Sequence, residues 1–188
     1  MSRLPLQTVA TAPDASRPLI EQVIANNGFL PNLVAVLANA PTALETYLTV
    51  SGINGRNSLS LAEREAVQIT AAVIHGCAFC VAGHSAIATK KAQLPAAVLD
   101  ALRQRQPVPD ARLEAVAHFT AAVIRSRGNV EDGELAEFQA AGFSPAQSLE
   151  VVLGVSLATL CNFGNNLART QLNPELAPFA WAPAPTTE

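Results

Sequence analysis

Charged residues are scarce in this chain of 188 residues. Asp, Glu, Lys and Arg together make up 14% of it, against 49% apolar residues. A small monomer cannot easily bury so much apolar surface, so the ratio favours a homo-oligomer. No block of basic residues extends beyond Lys90-Lys91, and the net charge is −3. Neither nucleic acid nor a membrane is therefore an expected partner.

Long hydrophobic runs and a cysteine framework are also missing. No uninterrupted run of about 18 apolar residues occurs, so we expect no membrane span. Met1-Ser2-Arg3 leads into Pro5 without the apolar core of a signal peptide. The three cysteines are an odd number. We expect a cytoplasmic protein with reduced thiols, in which any disulfide is catalytic and not structural.

Strand signals are absent, whereas helix signals follow one another along the chain. Ser60 and Glu63 form a capping-box pattern, and Ser144-Pro145 opens a long apolar segment. The pattern predicts an all-α, single-domain, oligomeric helical bundle. Its helices span approximately 14–28, 32–39, 41–55, 60–76, 77–91, 95–103, 109–128, 134–141 and a segment from 144 onwards. We expect an N-terminal arm over residues 1–14, a helical domain over 15–173 and an irregular tail over 174–188, held to the body by Trp181.

The chemistry-bearing residues concentrate in Cys77-Ala78-Phe79-Cys80-Val81-Ala82-Gly83-His84. On a helix, Cys77, Cys80 and His84 fall within roughly 60° of one another. Two thiols on one turn can exchange electrons as a dithiol/disulfide pair. A thiol in the first turn of a helix meets unpaired amides and the positive end of the dipole, which favour the thiolate. His84 can accept a thiol proton, directly or through water.

Other polar residues are weaker candidates. Glu65 lies on the preceding helix, which must fold back near the cysteines because the chain breaks at Gly76. Spacing alone fits a solvated carboxylate at this position better than a catalytic one. Buried small side chains remain the alternative explanation for the cysteine pair. We expect a substrate pocket around four further residues: Phe79, His75, Asn162 and Asn166.

These residues resemble a known family. Glu65…Cys77-x-x-Cys80-x-x-x-His84 is similar to the signature of the alkylhydroperoxidase D-like group within the carboxymuconolactone decarboxylase-like superfamily. Segments that flank the motif show the same resemblance: Ser16-Arg17-Pro18, Asn27-Gly28-Phe29-Leu30-Pro31-Asn32, Ala40-Pro41, Asn162-x-x-Asn165-Asn166-Leu167-Ala168-x-Thr170, and the late Phe179 and Trp181.

The resemblance implies a fold, an activity and an assembly. The fold is all-helical and assembles into trimers or hexamers, although the sequence itself does not exclude a dimer. The activity is that of a thiol-dependent peroxidase or disulfide reductase, with Glu65, Cys77, Cys80 and His84 as a proton relay. Phe79 stands where some members carry a histidine, so any help from that histidine is absent. The decarboxylases of the superfamily lack the cysteine pair, which disfavours lactone decarboxylation.

The working hypothesis is a hydroperoxide reductase without a cofactor or metal. Cys80 attacks the hydroperoxide, and Cys77, expected to be the more exposed thiol, forms the disulfide with it. An external dithiol or a redox partner protein then reduces this bond. Three alternatives stay open. They are a disulfide carrier that passes electrons to another peroxidase, a zinc site on Cys77, Cys80 and His84, and a scaffold with unused thiols.

Overall fold

The computed structural model describes residues 2–182, and in that range it is all-helical without a β-strand. The helices are α1 (Arg17–Asn27), α2 (Asn32–Leu37), α3 (Pro41–Asn54), α4 (Leu61–Ile74), α5 (Ala78–Lys90), α6 (Ala96–Gln104), α7 (Ala111–Ser126), α8 (Asp132–Ala140) and α9 (Pro145–Ala168). Two 3-10 segments, Asp14–Ser16 and Pro174–Phe179, flank them. The predicted all-α class and the order of helices are confirmed.

The helix ends follow the predicted capping signals. Ser60 and Glu63 satisfy each other's backbone amides, with Ser60 N–H donating to Glu63 Oε2 at 2.6 Å and Glu63 N–H donating to Ser60 Oγ at 3.2 Å. Ser144 forms a second capping box with Gln147. Gly28 ends α1 with a φ of 79°, a left-handed conformation that glycine adopts without strain.

Helix α4 is the centre of the bundle and packs against α5, α7 and α9. One side of it faces an apolar cluster built with α6, α7 and α8, in which Phe138 stacks between Phe119 and Phe143 with ring centroids 4.2 Å apart. The other side faces a cluster built with α1, α2, α3 and α5. Because α4 is enclosed by both clusters, polar side chains on it, such as Glu65, are held away from bulk water.

The α4–α9 contact is especially close. A Cβ atom at Gly154 would lie 2.9 Å from Val67 Cγ1, so only glycine fits there without movement. Gln68 Nε2 donates a hydrogen bond to the Gly154 carbonyl at 2.9 Å. This close approach brings the C-terminal half of α9 alongside α5.

Both ends of the described chain are bound to the body. Arg3 N–H donates to the Ala168 carbonyl at 2.6 Å, and Trp181 Nε1 donates to the Arg103 carbonyl at 3.1 Å, as expected for Trp181. The tail, however, is not irregular throughout. Pro174–Phe179 forms a 3-10 helix against α5, because Pro174 presets the helical φ at its first turn. Of the predicted arm and tail, residue 1 and residues 183–188 lie outside the described range.

Helix α9 carries an exposed apolar stripe. We define the α9 stripe as Leu149, Val152, Phe163 and Leu167, which are 72%, 43%, 56% and 64% exposed. By length and composition α9 could also span a membrane, contrary to the expectation from the sequence, although core helices satisfy the same criterion. The opposite side of α9 is buried against α4.

Candidate active site

The α4–α5 turn brings Glu65 and His84 together. Helices α4 and α5 pack against each other, and the chain turns between them at Gly76, whose φ is 66°. His84 Nδ1 donates to Glu65 Oε2 at 2.8 Å, and the Glu65 side chain is 7% exposed. Burial disfavours the charged imidazole, but the Glu65 carboxylate outweighs this effect and raises the pKa of His84. Because Nδ1 is occupied, Nε2 is the nitrogen available to exchange a proton.

The two cysteines of the motif are adjacent at the start of α5. Cys77 is the N-cap residue, and its sulfur accepts a hydrogen bond from the Cys80 backbone N–H at 3.4 Å. Cys77 and Cys80 are 1% and 4% exposed. The expectation that Cys77 is the more exposed thiol is therefore wrong, because the N-cap position turns its side chain inward onto the first turn of α5.

The environment favours ionisation of Cys77 over Cys80. A hydrogen bond from the Cys80 thiol lowers the pKa of Cys77 against the effect of burial, and the Cys80 backbone N–H adds to the lowering. The same thiol–thiol hydrogen bond, with burial, raises the pKa of Cys80. The pair therefore carries its first negative charge at Cys77, where the helix N-terminus stabilises it.

Asn165 connects α9 to this pair. Its Nδ2 donates to Cys80 Sγ at 3.2 Å, and this contact favours the thiolate. Its own Oδ1 is buried and has no hydrogen-bond partner within residues 2–182. Leaving a buried polar group unpaired costs free energy of folding. An asparagine with only a structural role would be expected to pair both of its polar atoms. Asn165 belongs to the segment that carried the family resemblance, but the sequence did not single it out as a site residue.

A cavity of about 530 Å³ opens directly onto Cys80 and His84. Its inner wall is mostly apolar and includes Phe79, Leu33 and Leu157. Phe79 is thus the one expected pocket residue that lines the cavity. Cys77 does not line it, so a small molecule entering from solvent meets Cys80 first.

The three other expected pocket residues lie elsewhere. Asn162 Nδ2 donates to His75 Nδ1 at 3.0 Å, and Asn166 Nδ2 donates to the His75 carbonyl at 2.8 Å. These bonds fasten the end of α4 to α9, and His75 also contacts the Phe163 ring, with centroids 5.0 Å apart. Burial lowers the pKa of His75. These three residues do not line the cavity, because the amides are used to join two helices.

Sequence reasoning missed two polar groups of the cavity. Tyr47 and Gln68 line it, and the Tyr47 hydroxyl makes no hydrogen bond to any other residue of the described range. Burial, together with the two nearby thiols, raises the pKa of Tyr47. Cys161 also lines the cavity, and burial raises its pKa to about 12, so it stays protonated. Only the packing of α3 and α4 against α9 reveals these positions.

A metal centre finds no support in this geometry. Within residues 2–182, no group of three or more His, Cys, Asp or Glu side chains is arranged to hold a metal ion. His84 already uses Nδ1 for Glu65, and Cys77 turns its sulfur towards the first turn of α5.

Comparison with known proteins shows what this chain resembles. The sequence pattern described as "Carboxymuconolactone decarboxylase family" matches residues 39–123, from the start of α3 to within α7. An alkylhydroperoxidase AhpD core protein from Ralstonia eutropha JMP134, described as an uncharacterized peroxidase-related protein, has the same fold. Its TM-score is 0.82 at 23% identity, over 93% of this chain and 94% of that one. The family pattern thus covers 85 of the 188 residues, including the cysteine motif, and the solved structure shows the same fold over nearly the whole chain.

Two further solved structures share this alkylhydroperoxidase D-like fold. The debrominase Bmp8, in a cysteine-to-alanine variant with 2,3,4-tribromopyrrole, has a TM-score of 0.76 at 17% identity, over 94% of each chain. A protein of unknown function from Agrobacterium tumefaciens has a TM-score of 0.64 at 18% identity, over 71% of this chain and 92% of that one. No curated protein matches the sequence. The expected all-helical fold is thus confirmed, and the expected resemblance to the family is supported over residues 39–123.

Proposed function

We propose that this protein is a thiol-dependent peroxidase that reduces hydroperoxides through a Cys77/Cys80 dithiol–disulfide cycle. One observation carries the proposal: Cys80 and His84 share the cavity, and Cys77 and Glu65 stand directly behind them. This arrangement supplies a nucleophile, a second thiol to form a disulfide and a proton-transfer pair. The peroxidase-related character of the fold supports the same reaction class.

The first step is attack on the peroxide. The dithiol begins with one proton, and Cys80 passes it to the Cys77 thiolate as it approaches the substrate. The Cys80 thiolate then attacks the terminal oxygen of the hydroperoxide. An S–O bond forms and the O–O bond breaks. The leaving alkoxide takes a proton from protonated His84 through water in the cavity and departs as an alcohol.

The second step closes the disulfide. Neutral His84 accepts the Cys77 proton, again through water, and the Cys77 thiolate attacks the sulfenic sulfur of Cys80. An S–S bond forms, and the displaced hydroxide takes the proton back and leaves as water. Two electrons have moved from the dithiol to the peroxide. An external dithiol then reduces the disulfide by exchange.

Burial bears on the disulfide-carrier alternative. Neither cysteine residue is more than 4% exposed, so a large protein disulfide cannot reach the pair directly in this conformation. A small molecule can reach Cys80 through the cavity. The geometry therefore favours direct peroxide reduction over electron transfer to another protein, and it favours a small or slender reductant.

Rapid mixing of the reduced protein with cumene hydroperoxide tests the proposal. We expect one equivalent of alcohol and loss of two thiols per protein. Cys80→Ser should abolish alcohol formation. Cys77→Ser should leave a sulfenic acid on Cys80 that does not become a disulfide. Cys161→Ser is the matched control, because that protonated thiol takes no part in the cycle, and it should retain turnover.

Two outcomes would contradict the proposal. Undiminished peroxide reduction by Cys80→Ser would remove the assigned nucleophile. Rapid reduction of small disulfides without reaction with peroxide would favour the disulfide carrier instead. A parallel reaction with 2,3,4-tribromopyrrole, the ligand of the debrominase relative, should release no bromide if the cavity serves hydroperoxides.

The cell context of this reaction belongs to the same proposal. A cycle that needs a dithiol reductant suits a reducing compartment, in agreement with the expected cytoplasmic location. A small external dithiol as reductant and a homo-oligomer are proposed on the same terms; a redox partner protein would first require the cysteine pair to become exposed. The α9 stripe supports self-association, because so much apolar surface on one helix is unusual for a monomer.

A further inference from the structure

The cavity has a rim whose composition differs from that of its floor. Five of its lining residues are exposed and therefore mark the opening: Asn26, Asn27, Lys90, Lys91 and Glu175. All five are polar or charged. The floor, by contrast, consists of the Cys80 thiol among mostly apolar side chains. The cavity is thus amphipathic, with its reactive group at the apolar end.

The rim is positive although the chain as a whole is negative. Lys90 and Lys91 are the only lysines in the sequence, and the net charge of the chain is −3. Within residues 2–182, neither lysine forms an ion pair with a carboxylate, Glu175 included. Two ammonium groups and one carboxylate leave the rim with a net positive charge. An anion placed there would find two ammonium groups that no carboxylate of the described residues already pairs with.

Helix α5 links the thiol to the lysines. Cys80, His84, Ile87 and Lys91 follow one another at intervals of one helical turn, and all of them line the cavity. At about 1.5 Å per residue, Cys80 and Lys91 are roughly 16 Å apart along the helix axis. Lys90 Nζ lies 5.3 Å from the centroid of the Phe179 ring, which holds it against the 3-10 segment of the tail.

From this geometry we infer that the rim is an anion subsite, and that the preferred substrates are linear, apolar hydroperoxides carrying a carboxylate at the opposite end. This inference rests on the proposed peroxidase function. The carboxylate contacts Lys90 and Lys91, the apolar chain follows the wall formed by α5, and the peroxide oxygen reaches Cys80. Fatty acid hydroperoxides have this chemistry.

A pair of substrates that differ only in charge tests the inference. Linoleic acid hydroperoxide and its methyl ester are compared with cumene hydroperoxide, which has no anionic end. At low ionic strength the acid should have a KM about five-fold lower than that of the ester, in keeping with solvent-exposed ion pairs. Added salt should remove this difference, because the Debye length falls to about 8 Å at physiological ionic strength.

Substitutions at the rim separate charge from fold. The double variant Lys90→Met, Lys91→Met should raise the KM for the acid by about five-fold. The kcat for the acid, and the KM and kcat for the two uncharged substrates, should not change. Lys90→Arg, Lys91→Arg should retain the preference for the acid. Arg56→Met removes a cation that does not line the cavity, so it should change neither KM nor kcat for any of the three hydroperoxides. Thermal unfolding of each variant shows whether the end of α5 remains intact.

The outcomes distinguish this inference from the function on which it rests. Equal KM values for acid and ester, with cumene hydroperoxide still reduced, would overturn the anion subsite and leave the peroxidase in place. No reduction of any of the three hydroperoxides would overturn the peroxidase itself. A loss of the acid preference in the arginine double variant would also contradict the subsite, because the positive charge is retained there.

Discussion

At the residue scale, Asn165 contributes to the charge state of the cysteine pair. Its amide donates to Cys80 Sγ at 3.2 Å and so stabilises a thiolate over a thiol. Asn165→Asp replaces this donor by a carboxylate, which should raise the pKa of both thiols. We expect thiolate formation and alkylation to be at least about ten-fold weaker at neutral pH. Thiolate ultraviolet absorbance followed against pH measures the change.

Asn166→Asp is the matched control for that variant. Asn166 is the adjacent residue, but its amide donates to the His75 carbonyl and not to a sulfur. Its replacement should leave the thiol titration close to that of the original protein. Equal titration curves for the original protein and Asn165→Asp would show that the amide does not stabilise the thiolate.

The Glu65–His84 pair should make stability depend on pH. Despite the effect of burial, Glu65 raises the pKa of His84 above its ordinary value of 6.5. The protonated pair therefore stabilises the fold fully below about pH 6.5, and this contribution is lost as the pH rises through the raised pKa. Glu65→Gln should lower the free energy of unfolding by about 1–3 kcal/mol below pH 6.5 and by less at alkaline pH.

Urea unfolding of both proteins over a pH series measures this difference. His75→Gln is the contrasting variant. Because burial lowers the pKa of His75, its replacement should change the free energy of unfolding with the opposite dependence on pH. A free-energy difference between Glu65→Gln and the original protein that stays constant with pH would contradict the ion pair.

At the scale of helices, the α4–α9 contact depends on the missing side chain of Gly154. Alanine is the better helix former by about 1 kcal/mol, yet a Cβ there would lie 2.9 Å from Val67 Cγ1. We expect Gly154→Ala to lower the free energy of unfolding by about 1–3 kcal/mol. Val67→Ala in the same chain should recover part of that loss by removing the clash.

Gly52→Ala provides the comparison within a helix. A Cβ at Gly52 in α3 would meet no atom within 4 Å, so this substitution should stabilise the fold slightly. Chemical denaturation of the two variants separates helix propensity from packing. If both glycines gave the same change on substitution, the close approach of α4 and α9 would not be a determinant of stability.

At the scale of the whole molecule, the α9 stripe predicts self-association. Leu149 and Leu167, near the two ends of α9, are 72% and 64% exposed. Leu149→Glu with Leu167→Glu should therefore convert an oligomer into a monomer without unfolding it. Ile53→Glu is the control. Ile53 is an exposed position of α3, away from the α9 stripe, so this change should leave the assembly intact. Sedimentation or light scattering gives the mass, and a monomeric original protein would contradict the prediction.

Much of this molecule is determined by short stretches of its sequence. The signals that set the helix ends act within one or two helical turns: capping by Ser60 and Ser144, the left-handed turn at Gly28, and the spacing of apolar residues. The order of the helices could therefore be predicted directly. The same rules place Cys80 and His84 on one face of α5. Such features need only the geometry of a single helix.

Tertiary packing decided how the site is completed. Asn165 reaches the Cys80 sulfur, and Tyr47 reaches the cavity, only because α9 packs against both α5 and α3. The contact between α4 and α9 also keeps His75 out of the cavity. The sequence alone determined which helices form and which face of α5 carries the chemistry. The tertiary structure decided which residues meet that face, because they come from helices far apart in sequence. Side chains such as that of Val67 set how closely those helices can pack.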